Sequence, residues 1–166
     1  ATPIPRTLTL AAYGDMDETR ITEKPFGRLP VETRAMSINK RDELINRLKK
    51  KLSSKEKAYW VCPLIEESEE LDLQAATERY KILNKIFKNK VLLIHGQLKE
   101  NEKEIIMKKF KDEDYRILVA TTVIEVGIDI QNATTLIVEH AERFGLAQLH
   151  QLRGRIGRNN LQSTCV

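Results

Sequence analysis

The stretch densest in residues that could do chemistry reads Gln151-Leu-Arg-Gly-Arg155-Ile-Gly-Arg158. Arg155 and Arg158 stand three residues apart, each directly after a glycine, in a segment that reads as the end of a helix. On a helix that spacing puts both guanidinium groups on one face. The glycines would leave the face bare, so that another backbone or a ligand could come close. Two adjacent, permanently charged, fork-shaped donors suit the phosphate tail of a nucleotide, where they offset charge that develops during phosphoryl transfer. The competing reading is a pair of solvated arginines on a basic helix. Two Gly-Arg repeats within eight residues, headed by Gln151, weigh against it.

Ligands of open α/β sheets bind beyond the carboxyl ends of the strands. That rule selects His95-Gly96, then Ala120-Thr121-Thr122 followed by Gly127-Ile-Asp129, and then the segment after Glu139 that leads to the arginines. Thr121 and Thr122 would place hydroxyls and backbone N–H groups where a nucleic-acid phosphate can sit. Gly127 would allow close backbone approach, and Asp129 could accept a hydrogen bond from a ribose hydroxyl. Against this stands an ordinary strand-to-helix loop in which Thr caps and Gly turns, with His95 a satisfied polar residue.

What is missing matters equally. None of the seven glycines belongs to a G-x-x-x-x-G-K-[ST] loop, so no lysine-bearing phosphate cradle is present. No apolar strand leads into an acidic pair that could hold Mg²⁺; Asp112-Glu-Asp114 precedes its strand, the wrong order for that task. Cys62, Cys165, His95, His140 and His150 show no metal-ligand spacing, and no structural metal is expected. Arginines without a phosphate loop point to half of a composite nucleotide site, supplying charge across a cleft to a nucleotide held elsewhere.

The elements that must position these residues follow from apolar patterning. Strands are expected at Val31 to Ser37, Ala58 to Cys62, Val91 to Ile94, Arg116 to Thr121 and Thr134 to Glu139. Helical stripes run through Leu44, Ile45, Leu48 and Leu52, and through Ala76, Tyr80, Leu83 and Phe87. Asp72 is placed as the cap of the second helix, after an acidic loop at Ile65 to Leu71. Helices follow from Glu100 to Lys111 and from about Leu146. Strands separated by such helices imply right-handed crossovers and a mostly parallel sheet. The expectation is a three-layer α/β domain over 31–166, entered by a connector over 1–30 that carries Pro3, Pro5, Gly14, Pro25, Gly27 and Pro30.

With 166 residues, the chain suits one domain with a substantial core. A net charge of +4 permits an anionic partner without demanding one. Two distant cysteines fit a reducing cytoplasm. No apolar run reaches the roughly 18 residues of a membrane span, so no membrane partner is expected. The opening on Ala1 and the strand-like close at Ser163 to Val166 suggest a piece of a longer polypeptide.

At this point the sequence resembles superfamily 2 helicases of the RecG family. Ala1-Thr-Pro-Ile-Pro-Arg-Thr7 is similar to motif III, Leu93-Ile-His-Gly-Gln97 to motif IV, Val119 to Asp129 to motif V, and Gln151 to Arg158 to motif VI. Ala12 to Asp17, Ala58 to Cys62 with Ile65 to Ser68, and Glu142 to His150 favour that family over transcription-repair coupling factors. The resemblance implies the second RecA-like motor domain, of P-loop NTPase type, in a monomeric, ATP-driven translocase that remodels branched or forked DNA.

By motif position, Arg155 and Arg158 would face the γ-phosphate, Gln151 would join them, and Gly127 and Asp129 would line the nucleotide cleft. Thr121, Thr122, His95 and Gly96 would lie towards the DNA backbone. Thr2 and Arg6 would couple hydrolysis to domain movement, and Arg143, in the stretch just before motif VI, would be tied to translocation. ATP with Mg²⁺ would be held mainly by the N-terminal RecA-like domain of the same chain. Motifs I, Ia and II do not occur here, and Asn159-Asn160 stands where the family usually places another glycine. Two alternatives stay open: a coupling-factor-like translocase domain, and a non-catalytic nucleic-acid-binding module.

Overall fold

A computed structural model describes residues 29–52, 55–63, 69–121 and 130–166. Thr2, Arg6, Thr122, Gly127, Asp129 and nearly all of the 1–30 connector lie outside them. In chain order the elements are β1 (Glu32–Thr33), α1 (Arg41–Lys51), β2 (Lys57–Val61), α2 (Glu69–Ile86), β3 (Val91–Ile94), α3 (Glu100–Asp112), β4 (Ile117–Ala120), β5 (Ala133–Val138), α4 (Leu146–Arg153) and β6 (Thr164–Cys165). Short 3₁₀ turns at Ile38–Lys40 and Ala141–Arg143 precede α1 and α4.

Among the described residues six strands form one sheet in the order β1-β6-β5-β2-β4-β3, every pair parallel. Strand side chains alternate between faces, and the core divides accordingly. Ala58, Trp60, Cys62, Ile117, Val119 and Ile137 pack with Ile45 and Leu48 of α1 and Ala76 and Leu83 of α2. Tyr59, Val61, Leu118, Ala120, Leu136 and Val138 pack with Met107 and Phe110 of α3 and Leu152 of α4. The expected three-layer α/β arrangement is what the chain adopts. β2, β4 and β5 are buried along their whole length, as strands of a sheet covered on both faces are, and β4 is apolar throughout.

Lys57 opens β2 and is only 4% exposed. Its Nζ donates to the carbonyls of Phe110, of Glu113 at 2.7 Å and of Tyr115 at 3.0 Å. One ammonium thereby satisfies carbonyls that the end of α3 leaves open and fixes that helix against the sheet.

Three local expectations are corrected. Asp72 is not a cap: α2 begins at Glu69, and Asp72 is a buried residue of its first turn. Acidic side chains near a helix N-terminus are favoured by the backbone dipole, so the acidic residues from Glu69 onward belong to the helix start rather than to a loop. The strand foreseen over Val31 to Ser37 pairs only at Glu32 and Thr33, with Thr164 and Cys165; alternation alone does not say how far a partner strand runs.

The third correction concerns the arginines. Helix α4 stops at Arg153. Gly154 caps it, and Gly157 adopts φ +70°, the left-handed conformation that glycine reaches without cost. Arg155 and Arg158 therefore sit on a turn, not on one face of a helix.

Candidate functional site

The register fixes two working edges. At the carboxyl edge the ends of β5, β2, β4 and β3 stand side by side, since Val61 pairs with both Val138 and Ala120, and Ala120 with Ile94. His95 and Thr121 are brought together there, with the Thr121 N–H donating to the Ile94 carbonyl at 3.3 Å. Thr121 is buried, Gly96 exposed and His95 half-buried. Nδ1 of His95 is shielded from solvent and has no hydrogen-bond partner among the described residues. Burial pushes the imidazole below its ordinary value of 6.5, Lys103 adds to that, and Glu102 opposes it. At neutral pH this ring offers a hydrogen bond rather than a positive charge.

Arg143 lies on the same edge, exposed, in the 3₁₀ turn that follows β5. His140 makes the reversal possible with φ +51°. Phe144 anchors the turn in the core, and Gly145 starts α4, its N–H donating to Oε1 of Gln148 at 3.1 Å.

The arginine turn lies at the opposite, amino edge. Gly157 packs beside Val31 and Ser163, which immediately precede β1 and β6. Asn159 donates through Nδ2 to the carbonyl of Gln131, just before β5. Placing the arginines after the carboxyl end of β5 was right for the chain entering α4 and wrong for the turn that leaves it. A helix of eight residues carries the chain about 12 Å back along the sheet. The close approach foreseen at the glycines is filled at Gly157 by the protein's own Val31.

Arg155 is half-buried, and no ion pair reaches it among the described residues. Arg158 is exposed, and its Nε donates to the Gly154 carbonyl at 3.2 Å, which holds the side chain over the end of α4. Gln151 is exposed on the last turn of that helix. The chain leaves Thr121 at the carboxyl edge and re-enters the described structure at Ile130 on the amino edge, beside this turn. Gly127 and Asp129 fall in the interval between them.

Sequence patterning missed a charged hub at the carboxyl edge. Glu139, 10% exposed, directs one carboxylate oxygen at three groups: Nε of Arg79 at 2.8 Å, Nε of Arg41 at 3.4 Å, and the Trp60 indole N–H at 3.1 Å. The Arg79 guanidinium also lies 5.6 Å from the Trp60 ring centre. The partners come from β2, α1, α2 and the end of β5, so only the glutamate closing an apolar strand could have signalled the hub. Nearby Cys62 is pushed up to about 12 by burial, with Glu139 adding to the effect and Arg79 and Arg41 opposing it.

No group of His, Cys, Asp and Glu among the described residues could hold a metal ion. No helix among them is long and apolar enough to cross a membrane.

The family described as the helicase conserved C-terminal domain matches residues 35–160. The chain belongs to that family. Its matched region spans every described strand except the terminal pair β1 and β6, and includes both arginines. Over its whole length the chain is 51% identical to the ATP-dependent DNA helicase RecG of Pasteurella multocida and 47% identical to that of Synechocystis. It covers 24% and 20% of those two proteins, so it spans about a fifth to a quarter of the relatives it matches. A solved structure of RecG bound to a three-way DNA junction superposes with a TM-score of 0.80 at 43% identity, covering 99% of this chain and 21% of that one. These likenesses bear out the RecG-type resemblance and the RecA-like character of this helicase C-terminal domain.

Proposed function

We propose that this helicase C-terminal domain is the second motor domain of an ATP-dependent DNA helicase of RecG type that remodels branched or forked DNA. Residues 31–166 form the domain and 1–30 the segment that enters it. The observation that carries the reading is the amino-edge turn, where half-buried Arg155 and exposed Arg158 stand on glycines beside the chain that follows Asp129.

Two guanidiniums so placed fit the phosphates of ATP. Arg158 and Arg155 offset charge growing on the transferring phosphoryl group, Gln151 joins their hydrogen-bond network, and Gly127 and Asp129 line the ribose side of the cleft. The nucleotide and its Mg²⁺ are gripped mainly by an N-terminal RecA-like domain of the same protein. His95, Gly96, Thr121 and Thr122 take the DNA backbone, with Arg143 on the same sheet edge as His95 and Thr121, and Thr2 and Arg6 serve as the coupling segment. Uncharged donors such as a threonine hydroxyl or a backbone N–H hold a phosphate in register without reading sequence. The protein works as a cytoplasmic monomer.

The test is ATP turnover by the full-length protein with forked DNA, with linear duplex and without DNA. Strong stimulation by the fork supports the reading. Turnover indifferent to DNA, or vigorous hydrolysis by the 166-residue chain alone, contradicts it.

A further inference from the structure

Arg158 is followed by a residue whose side chain makes two bonds of opposite polarity. The Asn159 amide nitrogen donates to the carbonyl of Gln131, and its amide oxygen accepts the Leu161 N–H at 2.9 Å. A carbonyl can only accept and an N–H can only donate, so the two partners fix the orientation of the carboxamide. The first bond crosses from the arginine turn to a different part of the chain; the second tightens the turn itself.

Gln131 lies within the turn Ile130–Ala133, closed by the Ala133 N–H donating to the Ile130 carbonyl at 3.1 Å. The Gln131 carbonyl takes no part in that turn's own i to i+3 bond. Asn159 takes that carbonyl. On one side the tie begins one residue after Arg158, and on the other it ends two residues after Asp129.

On the far side of Arg158, Gly157 is wedged against Val31, and the Arg158 Nε is bonded to Gly154. The arginine is thus fixed from behind by α4 and from ahead by Asn159.

We propose that Asn159 is a positioning residue for ATP hydrolysis, its carboxamide locking the arginine turn to the segment that follows Asp129. The proposal rests on the motor-domain reading above. Binding a nucleotide asks only that charge be near; speeding phosphoryl transfer asks that the guanidinium be held where charge develops, and small displacements are costly there. Asn159 therefore acts through Arg158 on the maximal rate and leaves nucleotide affinity nearly untouched.

Full-length proteins carrying Asn159→Asp, Asn159→Ala or Arg158→Ala are compared with the wild type for DNA-stimulated kcat, KM for ATP and Tm. Asn159→Asp keeps an oxygen for Leu161 and removes the donor to Gln131, so it severs the tie while sparing the turn. The expected result is a kcat lowered on the order of ten-fold in both Asn159 variants. KM for ATP stays within about two-fold, as for an interaction expressed only in the transition state. Should Asn159→Ala fail to fold, Asn159→Asp carries the test. Wild-type kcat in Asn159→Asp, or a raised KM at unchanged kcat, overturns the proposal while Arg158→Ala stays dead. Full turnover by Arg158→Ala removes the motor reading first, and the tie with it.

Discussion

A Cβ placed on Gly157 would stand 2.7 Å from Cγ2 of Val31. Real side chains do not approach so closely, and φ +70° at this residue is itself unfavourable for anything but glycine. The contact seats the arginine turn against Val31, just before β1, and the φ reserves the position for glycine. The glycine between the two arginines is therefore a packing device that sets where the turn lies against the sheet.

Gly157→Ala is accordingly expected to destabilise the protein by about 3 kcal/mol, combining a left-handed alanine with an overpacked contact. Urea unfolding measures it. Adding Val31→Ala should recover part of the loss, because it removes the clash and leaves the backbone penalty. Equal stability of wild type and Gly157→Ala would show that the turn relaxes freely.

Glu139 faces Arg41, Arg79 and the indole of Trp60 with one carboxylate oxygen. Glu139→Ala removes the carboxylate that both guanidiniums face and should cost about 3 kcal/mol. Glu139→Gln keeps an acceptor for the Trp60 indole and should cost less. Removing Arg79 as well, as Arg79→Met, should bring the Gln variant back towards wild type, since buried pairs lose most when only one partner is deleted. Chemical denaturation of the single and double variants checks the ordering. A Glu139→Ala protein as stable as wild type would mean that the hub carries no stability.

Much of this was legible beforehand. The apolar run Val91 to Ile94 is β3 itself, the patterns for α3, β4 and β5 lie within a residue or two of those elements, and the stripe of Leu44, Ile45 and Leu48 falls inside α1, because buried strands read as apolar runs and packed helices as stripes. Arg155, Arg158, Thr121 and His95 announced themselves by type and spacing. The hidden features were those that depend on the chain folding back. Glu139 meets Arg41 and Arg79 only because α1 and α2 cover the same face of the sheet. Asn159 meets Gln131 only because α4 returns the chain to the amino edge. The paired arginines looked helical because i, i+3 spacing is blind to a glycine at φ +70°.

Burial holds His95 below its ordinary 6.5. The folded protein then binds this proton less readily than the unfolded chain does. The stabilisation is complete above 6.5 and is lost as the pH falls from there through the lower folded value. Tm should drop on acidification from pH 7 to pH 5, and His95→Gln should flatten that drop. A proton NMR titration of the imidazole gives the folded value directly. Parallel Tm curves for the two proteins would contradict the assignment.

The central claim is that Arg158 and Arg155 supply charge to hydrolysis of a nucleotide held mostly by another domain. Full-length Arg158→Ala, assayed for ATP turnover on forked DNA and for nucleotide affinity, tests it most directly. The predicted result is turnover reduced on the order of 10³-fold with affinity nearly preserved, as when an arginine finger is withdrawn. Wild-type turnover in that variant, or loss of binding in step with loss of rate, would contradict it.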